Sequence, residues 1–363
     1  MKFSFIMAAS AAFLLSAGAW AQTYRYIDAS SLTIAGKPLP TSRPYTRIDT
    51  SAFHFGSKSI DAKCCQSTGL MVCFRTDSRN ITAKWKTGGK NSGSNMCAVG
   101  QKGLDLYIRE ENAWRFAGAG VPSMGTAPYS SHSCDLVRYM AEGEKECILY
   151  LPLFDELHDL ELGVDEGSHV TPMENPFRHR IVFQGSSITH GASATRPGMC
   201  YVSLFERRTG LYSINMGFSG DSKLQKVYAE YLAGVDADAF VFDAFSNPSA
   251  QEIHDRFDVF VDILRKAHPD TPLIFLQTER REKRNFDVKF NASEQAKQDA
   301  AREEVADRMK TDRNIWLIDS AGFLGDDGLG TADGTHPTDL GFMRWVDKMT
   351  PQLMKILKKY GIR

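Results

Sequence analysis

An excess of positive charge is what this chain most plainly lacks. Its 43 lysines and arginines are balanced by 44 aspartates and glutamates. No basic run breaks that balance, so the electrostatic footprint of a nucleic-acid binder is missing. Long apolar runs are absent too: beyond residue 21 no segment reaches the roughly 18 apolar residues that a membrane span needs. Metal-type cysteine spacing is lacking, since adjacent Cys64 and Cys65 have neither a C-x-x-C pair nor a histidine cluster for company. No cysteine precedes Cys64, which excludes a lipoprotein anchor near the N-terminus. Repeats and low-complexity tracts are likewise not found.

What is present begins with a targeting pattern. Lys2 leads into an apolar stretch from Phe3 to Ala17, and Ala19-Trp20-Ala21 before Gln22 has the small-x-small form that signal peptidase cuts after. Residues 1–21 therefore read as a removed secretory signal, and the mature protein is expected to be soluble and exported to the periplasm or the medium. The remaining chain, about 340 residues, suits two domains of ordinary size. Of the seven cysteines, at 64, 65, 73, 97, 134, 147 and 200, six precede residue 150. An oxidising destination permits disulfides in this N-terminal half, with 15 possible connectivities that the sequence does not choose among. Cys200 is then the expected free, buried thiol.

Two textures divide the chain. Over 22–175 short β-type runs alternate with turn residues, clearest at Leu70–Phe74, Ile81–Trp85, Leu104–Ile108 and Cys147–Leu153. Turn signals at Thr87-Gly88-Gly89 and Asn91-Ser92-Gly93 separate them, which predicts an antiparallel sandwich or jelly-roll. Over 176–363 strands alternate with longer helical patterns, the mark of a parallel sheet covered on both faces. Expected strands are 181–184, 212–216, 239–243, 272–277 and 315–319. Ile253, Phe257, Phe260, Val261 and Leu264 mark one helix by their spacing. A final helix is predicted to start near Thr338. Gly167, Pro172 and Pro176 place the boundary within 165–178.

Ligands of an open parallel sheet bind beyond the carboxyl ends of its strands. The chemistry-bearing residues fall there: Ser187 after the first strand, Gly220 after the second, Asn247 after the third, Glu279 after the fourth, Asp333 and His336 after the fifth. A serine in Gly185-Ser186-Ser187 is, by itself, most simply a helix N-cap, and Asp333 could merely cap the last helix. Together they make more. A hydroxyl needs a positioned imidazole to take its proton as it attacks, and an aspartate three residues before His336 can hold the far ring nitrogen. The Ser187 and Gly220 amides and the Asn247 side chain are candidate donors to a developing oxyanion.

These pieces, in this order, resemble the SGNH (GDSL-type) hydrolases. The resemblance implies Ser187 as nucleophile, Gly220 and Asn247 in the oxyanion hole, and Asp333 with His336 as the D-x-x-H pair, on a flavodoxin-like three-layer α/β/α fold. Two positions depart from the usual blocks: Ser186 stands where an aspartate is common, and the third block reads Asp243-Ala244-Phe245-Ser246-Asn247 instead of G-x-N-D. Gly103-Leu104-Asp105-Leu106-Tyr107 and Tyr150-Leu151-Pro152-Leu153 resemble the GxDLY β domain that precedes a subgroup of these enzymes. That subgroup is also similar in its G-S-S-I-T block and in an element seen here as Thr195-Arg196-Pro197-Gly198.

The implied activity is an exported serine esterase without metal or cofactor, acting on short O-acyl esters of a small molecule or polysaccharide, with a carbohydrate O-acetyl group favoured. Rival readings are a lipid or thioester acyl hydrolase, an acyltransferase, and a silent glycan-binding protein. His190, Arg196 and Glu279 are possible substrate contacts; for Arg196 and Glu279 a surface ion pair is the alternative. Trp85, Trp114 and Tyr107 could stack on sugars, although large aromatics on strands usually bury. The β domain is expected to act as a scaffold. Oligomeric state is left open.

Overall fold

The computed structural model describes residues 23–89, 93–123 and 129–363. The expected signal segment and part of the Asn91-Ser92-Gly93 turn lie outside the described residues. The N-terminal part carries strands β1 (Tyr24–Asp28), β2 (Thr33–Ala35), β3 (Met71–Thr76), β4 (Ile81–Gly88), β5 (Leu104–Glu110), β6 (Ala113–Gly120), β7 (Tyr129–Val137), β8 (Lys145–Tyr150), β9 (Leu157–Asp165) and β10 (Val170–Pro172). They form two antiparallel sheets, ordered β1-β9-β4-β7 and β10-β3-β8-β5-β6, with β2 also on β3. Alternation does the folding: on β4, Ala83 and Trp85 point inward while Lys84 and Lys86 face water. Trp85 meets Val72, Phe74, Leu106, Leu149 and Leu160 in the core between the sheets. Trp85 and Tyr107 are both buried, as expected for strand aromatics.

Two short helices interrupt this β region, α1 (Lys58–Cys64) and α2 (Ala98–Lys102). Ile48, Phe55, Ile60 and Cys64 leave the sandwich altogether and join the core of the C-terminal part. All seven cysteines are free thiols, so the disulfides considered for the N-terminal half are not formed. Period-two geometry supplies one reason. Cys73 and Cys147 lie on neighbouring strands, but Cys147 opposes Phe74, so the two side chains enter different clusters on opposite faces. Burial pushes the Cys64 and Cys147 thiols up to about 12.

The C-terminal part begins with β11 (Arg178–Gly185) and continues through α3 (Ser187–His190), α4 (Tyr201–Thr209), β12 (Leu211–Gly217), α5 (Lys226–Leu232), β13 (Ala239–Asp243), α6 (Ala250–Ala267), β14 (Leu273–Leu276), α7 (Val288–Met309), β15 (Ile315–Ile318) and α8 (Asp339–Leu357). The five strands are parallel in the order β12-β11-β13-β14-β15, the 2-1-3-4-5 order of flavodoxin-like sheets. Val182, Phe240, Phe242 and Phe275 pack under α5, α6 and α7. Ile181, Phe183, Val241 and Ile274 face α4 and α8 on the other side. A doubly wound sheet buried on both faces results. Strand order reverses between β11 and β13, so the loops after these strands diverge and leave a crevice.

The GxDLY motif locks the two parts together. Asp105 on β5 is wholly buried and accepts Arg196 Nη1 on both oxygens, at 3.0 and 2.8 Å, and the Gly198 amide at 2.8 Å. Arg196 also donates to Tyr107 Oη, and Arg207 lies 3.9 Å over the Tyr107 ring. Burial pushes the Asp105 carboxyl up, and the facing guanidinium groups pull it back. Arg196, one of the possible substrate contacts, is therefore a component of the interdomain joint. Removing one partner of such a pair strands the other charge. Arg196→Ala should lower the unfolding free energy by about 3 kcal/mol, read as a shift in the denaturant midpoint.

Candidate active site

β11 ends at Gly185, and the chain turns directly into α3. Ser186 is the N-cap, with its hydroxyl accepting the Ile188 amide at 3.1 Å, and Ser187 is the first helical residue. This leaves the hydroxyl of Ser187 at the head of a helix whose first amides have no partner within it. The turn is pinned across the crevice by Asp243, the last residue of β13. Its Oδ2 accepts the Ser186 hydroxyl at 2.6 Å, the Ser186 amide at 3.2 Å and Thr189 Oγ1 at 3.0 Å, while Oδ1 accepts Ser246 Oγ at 2.9 Å. A carboxylate of the neighbouring strand thus holds the turn that carries Ser187.

Ser187 Oγ lies 2.9 Å from His336 Nε2, and His336 Nδ1 lies 2.7 Å from Asp333 Oδ2. Asp333 Oδ1 accepts the amides of Thr335 at 3.0 Å and His336 at 2.8 Å. Against the effect of its burial, these amides and the imidazole hold the Asp333 carboxyl down at about 2. With an ionised acceptor at Nδ1, the ring proton sits there and Nε2 presents a lone pair to the serine hydroxyl. Glu282 anchors the loop that carries the pair, accepting the Gly330 amide at 2.8 Å, the Thr331 amide at 3.2 Å and the Thr331 hydroxyl. Thr331 Oγ1 in turn accepts the Gly334 amide at 3.0 Å.

Gly220 and Asn247 lie on the loops after β12 and β13, at the same sheet edge as Ser187. Gly220 has φ +77°, a left-handed conformation that L side chains rarely adopt. Asn247 follows Ser246, whose hydroxyl is held by Asp243, and its Nδ2 is buried without a hydrogen-bond partner among the described residues.

The chain is similar to a protein described as a GDSL-like lipase from Bacteroides ovatus ATCC 8483, with 43% identity, a TM-score of 0.89, and coverage of 93% of this chain and 98% of that one. The chain belongs to the GDSL-like (SGNH-type) acylhydrolases. Residues 178–354 match the GDSL-like Lipase/Acylhydrolase family, and 24–170 match the N-terminus of SGNH-hydrolase-type esterases, GxDLY. The fold is shared at lower identity. The salicylyl-acyltransferase SsfX3 from a tetracycline biosynthetic pathway is 18% identical at a TM-score of 0.72, covering 94% of this chain and 99% of that one. A family two carbohydrate esterase from Clostridium thermocellum, in complex with cellohexaose, is 13% identical at 0.57, covering 80% and 93%. No curated protein sequence matches the chain. Membership makes this an ester-hydrolysing enzyme.

In this acylhydrolase two further residues expected at the substrate prove to be struts. His190 is fully buried and stacked on Phe154 with ring centroids 3.9 Å apart. Its Nε2 is 2.9 Å from the Leu153 carbonyl, so it donates there, and Nδ1 accepts the Ser219 amide at 3.2 Å. Burial keeps this imidazole well below its usual pKa and hence neutral. Gly217 is needed beside it, because a Cβ there would stand 2.1 Å from the His190 backbone nitrogen. Glu279 is also fully buried and lies 3.2 Å from Arg281 Nε; burial pushes its carboxyl up to about 7. Arg281 Nη2 donates to the Ser246 carbonyl at 3.1 Å, so this pair braces the backbone just before Asn247.

Asn95, Asp243 and Glu282 are members of the site that motif reading missed. Asn95 of the β part donates from Nδ2 to Asp333 Oδ2 at 2.8 Å. Arg47, buried in the N-terminal region, donates to the carbonyls of Asn215 at 3.2 Å and Gly217 at 3.0 Å, where β12 runs into the Gly220 loop. His190→Ala would remove the stacked ring and strand the Ser219 amide. It should destabilise the protein by about 2–4 kcal/mol, with faster hydrogen exchange at Ser219 than in β14.

Proposed function

We propose that this acylhydrolase removes short O-acyl groups, O-acetyl in particular, from carbohydrates through Ser187, His336 and Asp333. The observation that carries this reading is the unbroken hydrogen-bonded line from Ser187 Oγ through both ring nitrogens of His336 to Asp333 Oδ2. As Oγ attacks the ester carbonyl, Nε2 takes its proton, and Asp333 stabilises the imidazolium that forms. The carbonyl oxygen becomes an oxyanion held by the amides of Ser187 and Gly220 and by Asn247 Nδ2. Collapse of the tetrahedral species breaks the ester C–O bond, and His336 returns the proton to the departing sugar hydroxyl. Water, deprotonated by the same imidazole, then hydrolyses the acyl-enzyme.

A carbohydrate substrate is supported by the shared fold with a carbohydrate esterase bound to cellohexaose. It also suits the near balance of acidic and basic residues, 44 against 43, and the expected export to the periplasm or medium. Likeness to a salicylyl-acyltransferase supports a second reading, in which an alcohol acceptor outcompetes water at the acyl-enzyme.

The mature protein should hydrolyse p-nitrophenyl acetate well ahead of the butyrate, and folded Ser187→Ala and His336→Ala variants should lose that turnover. Release of acetate from acetylated polysaccharide, undiminished by added sugar alcohols, would separate hydrolysis from transfer. Inactivity of the folded wild type on both esters and glycans would overturn the reading. Asn247→Ala should reduce kcat by roughly a hundredfold to a thousandfold with KM little changed, measured on the same acetate ester.

A further inference from the structure

The strongest feature not accounted for by the triad is the contact that reaches it from the other part of the chain. Asn95 precedes α2, in the segment joining β4 to β5, and its carboxamide lies against both members of the D-x-x-H pair. Nδ2 is 2.8 Å from Asp333 Oδ2 and 3.1 Å from His336 Nδ1. Since Nδ1 itself carries a proton for Asp333, the second distance is a close approach of two donors that share one carboxylate oxygen. Asn95 is held in this pose by its backbone. Its carbonyl accepts Ser193 Oγ at 3.0 Å, and Met96 Sδ accepts the Ser193 amide at 2.8 Å. Ser193 adopts φ +68°, uncommon for a residue with a side chain, which marks this junction as over-determined by its surroundings. Two residues on, Thr195 donates its amide to Asp339 Oδ1 at 3.0 Å, at the head of α8. The same few residues therefore grip Asn95 on one side and the helix following His336 on the other.

We infer that Asn95 is a positioning residue of the catalytic machinery, so that the active site is completed by the β domain. This rests on the reading of Ser187, His336 and Asp333 given above. Two physical effects follow from a donor on Asp333 Oδ2. The carboxylate is held against Nδ1, which keeps Nε2 aimed at Ser187. Part of its negative charge is also spent on the amide, so that less of it favours the protonated ring. His336 is faced by Asp333 from its own loop, by Ser187 from α3 and by Asn95 from the β domain; of these, Asp333 alone carries charge.

Asn95→Ala and Asn95→Asp test this against the wild type, with Ser187→Ala and His336→Ala alongside. For Asn95→Ala, kcat and kcat/KM for p-nitrophenyl acetate should both fall by about tenfold to a hundredfold, with KM unchanged. The acidic limb of the kcat/KM profile should move to higher pH, because the undivided carboxylate charge retains the proton on the base. Asn95→Asp, which replaces the donor with a second carboxylate, should move that limb further in the same direction. The inference is overturned if Asn95→Ala keeps wild-type kcat, or if kcat falls while the limb stays in place and the melting temperature drops, the signature of a merely supporting loop. Retention of activity in folded Ser187→Ala would instead overturn the underlying reading.

Discussion

The carboxylate of Asp243 ties together the two strand ends between which the chemistry is set. Parallel strands diverge into separate loops at the point where strand order reverses, and nothing in the sheet ladder fixes one loop against the other. Asp243 does so by accepting Ser186 and Thr189 from the nucleophile turn and Ser246 from its own loop. Burying it raises the cost of its charge and pushes its carboxyl up, and the hydrogen bonds from these hydroxyls and the Ser186 amide offset part of that cost. Ser187 and Asn247, each one residue beyond a pinned serine, are thereby placed relative to one another. The Glu279–Arg281 pair, through the Ser246 carbonyl, supports the same loop from a second direction.

A second constraint is that the β part serves as a wall of the active centre. Asp105 and Arg196 join the two parts, and other contacts cross between them. Leu153 and Phe154 hold His190, which holds the loop before Gly220. Arg47 bonds the carbonyls where β12 ends. Asn95 reaches the D-x-x-H pair itself. The loops that carry Ser187, Gly220 and the D-x-x-H pair thus lean on residues from before position 178. Preorganisation of this kind is what a hydrolase of this class requires, since its donors must already stand where charge develops.

Elements were legible wherever burial imposes a period. Strands expected at 181–184, 212–216, 239–243, 272–277 and 315–319 correspond to β11 through β15, and Thr338 caps the last helix as the sequence suggests. Ser187, Asp333 and His336 could be singled out because their partners lie in a few short blocks of recognisable spacing. The internal contacts of Arg196, His190 and Glu279 were not legible, because a polar side chain beside a motif looks the same in sequence whether it faces a cleft or a core. Cysteine number likewise carried no information on pairing, which depends on whether two side chains share a face. The helix α1 and its apolar neighbours were hidden for a related reason: they are short, and they bury against a domain that begins more than a hundred residues later.

By itself the sequence determined the two-part architecture, the parallel sheet and the candidate blocks around Ser187 and the D-x-x-H pair, because these follow from local periodicity and from chemistry that needs particular residues at short spacing. Tertiary structure alone decided that Asp243 pins the Ser186 turn, that Asp105 and Arg196 form the joint, and that Asn95 meets Asp333 across 238 positions of chain. Those contacts are made between side chains brought together only after both cores have formed, and no spacing rule in a linear chain encodes such a meeting.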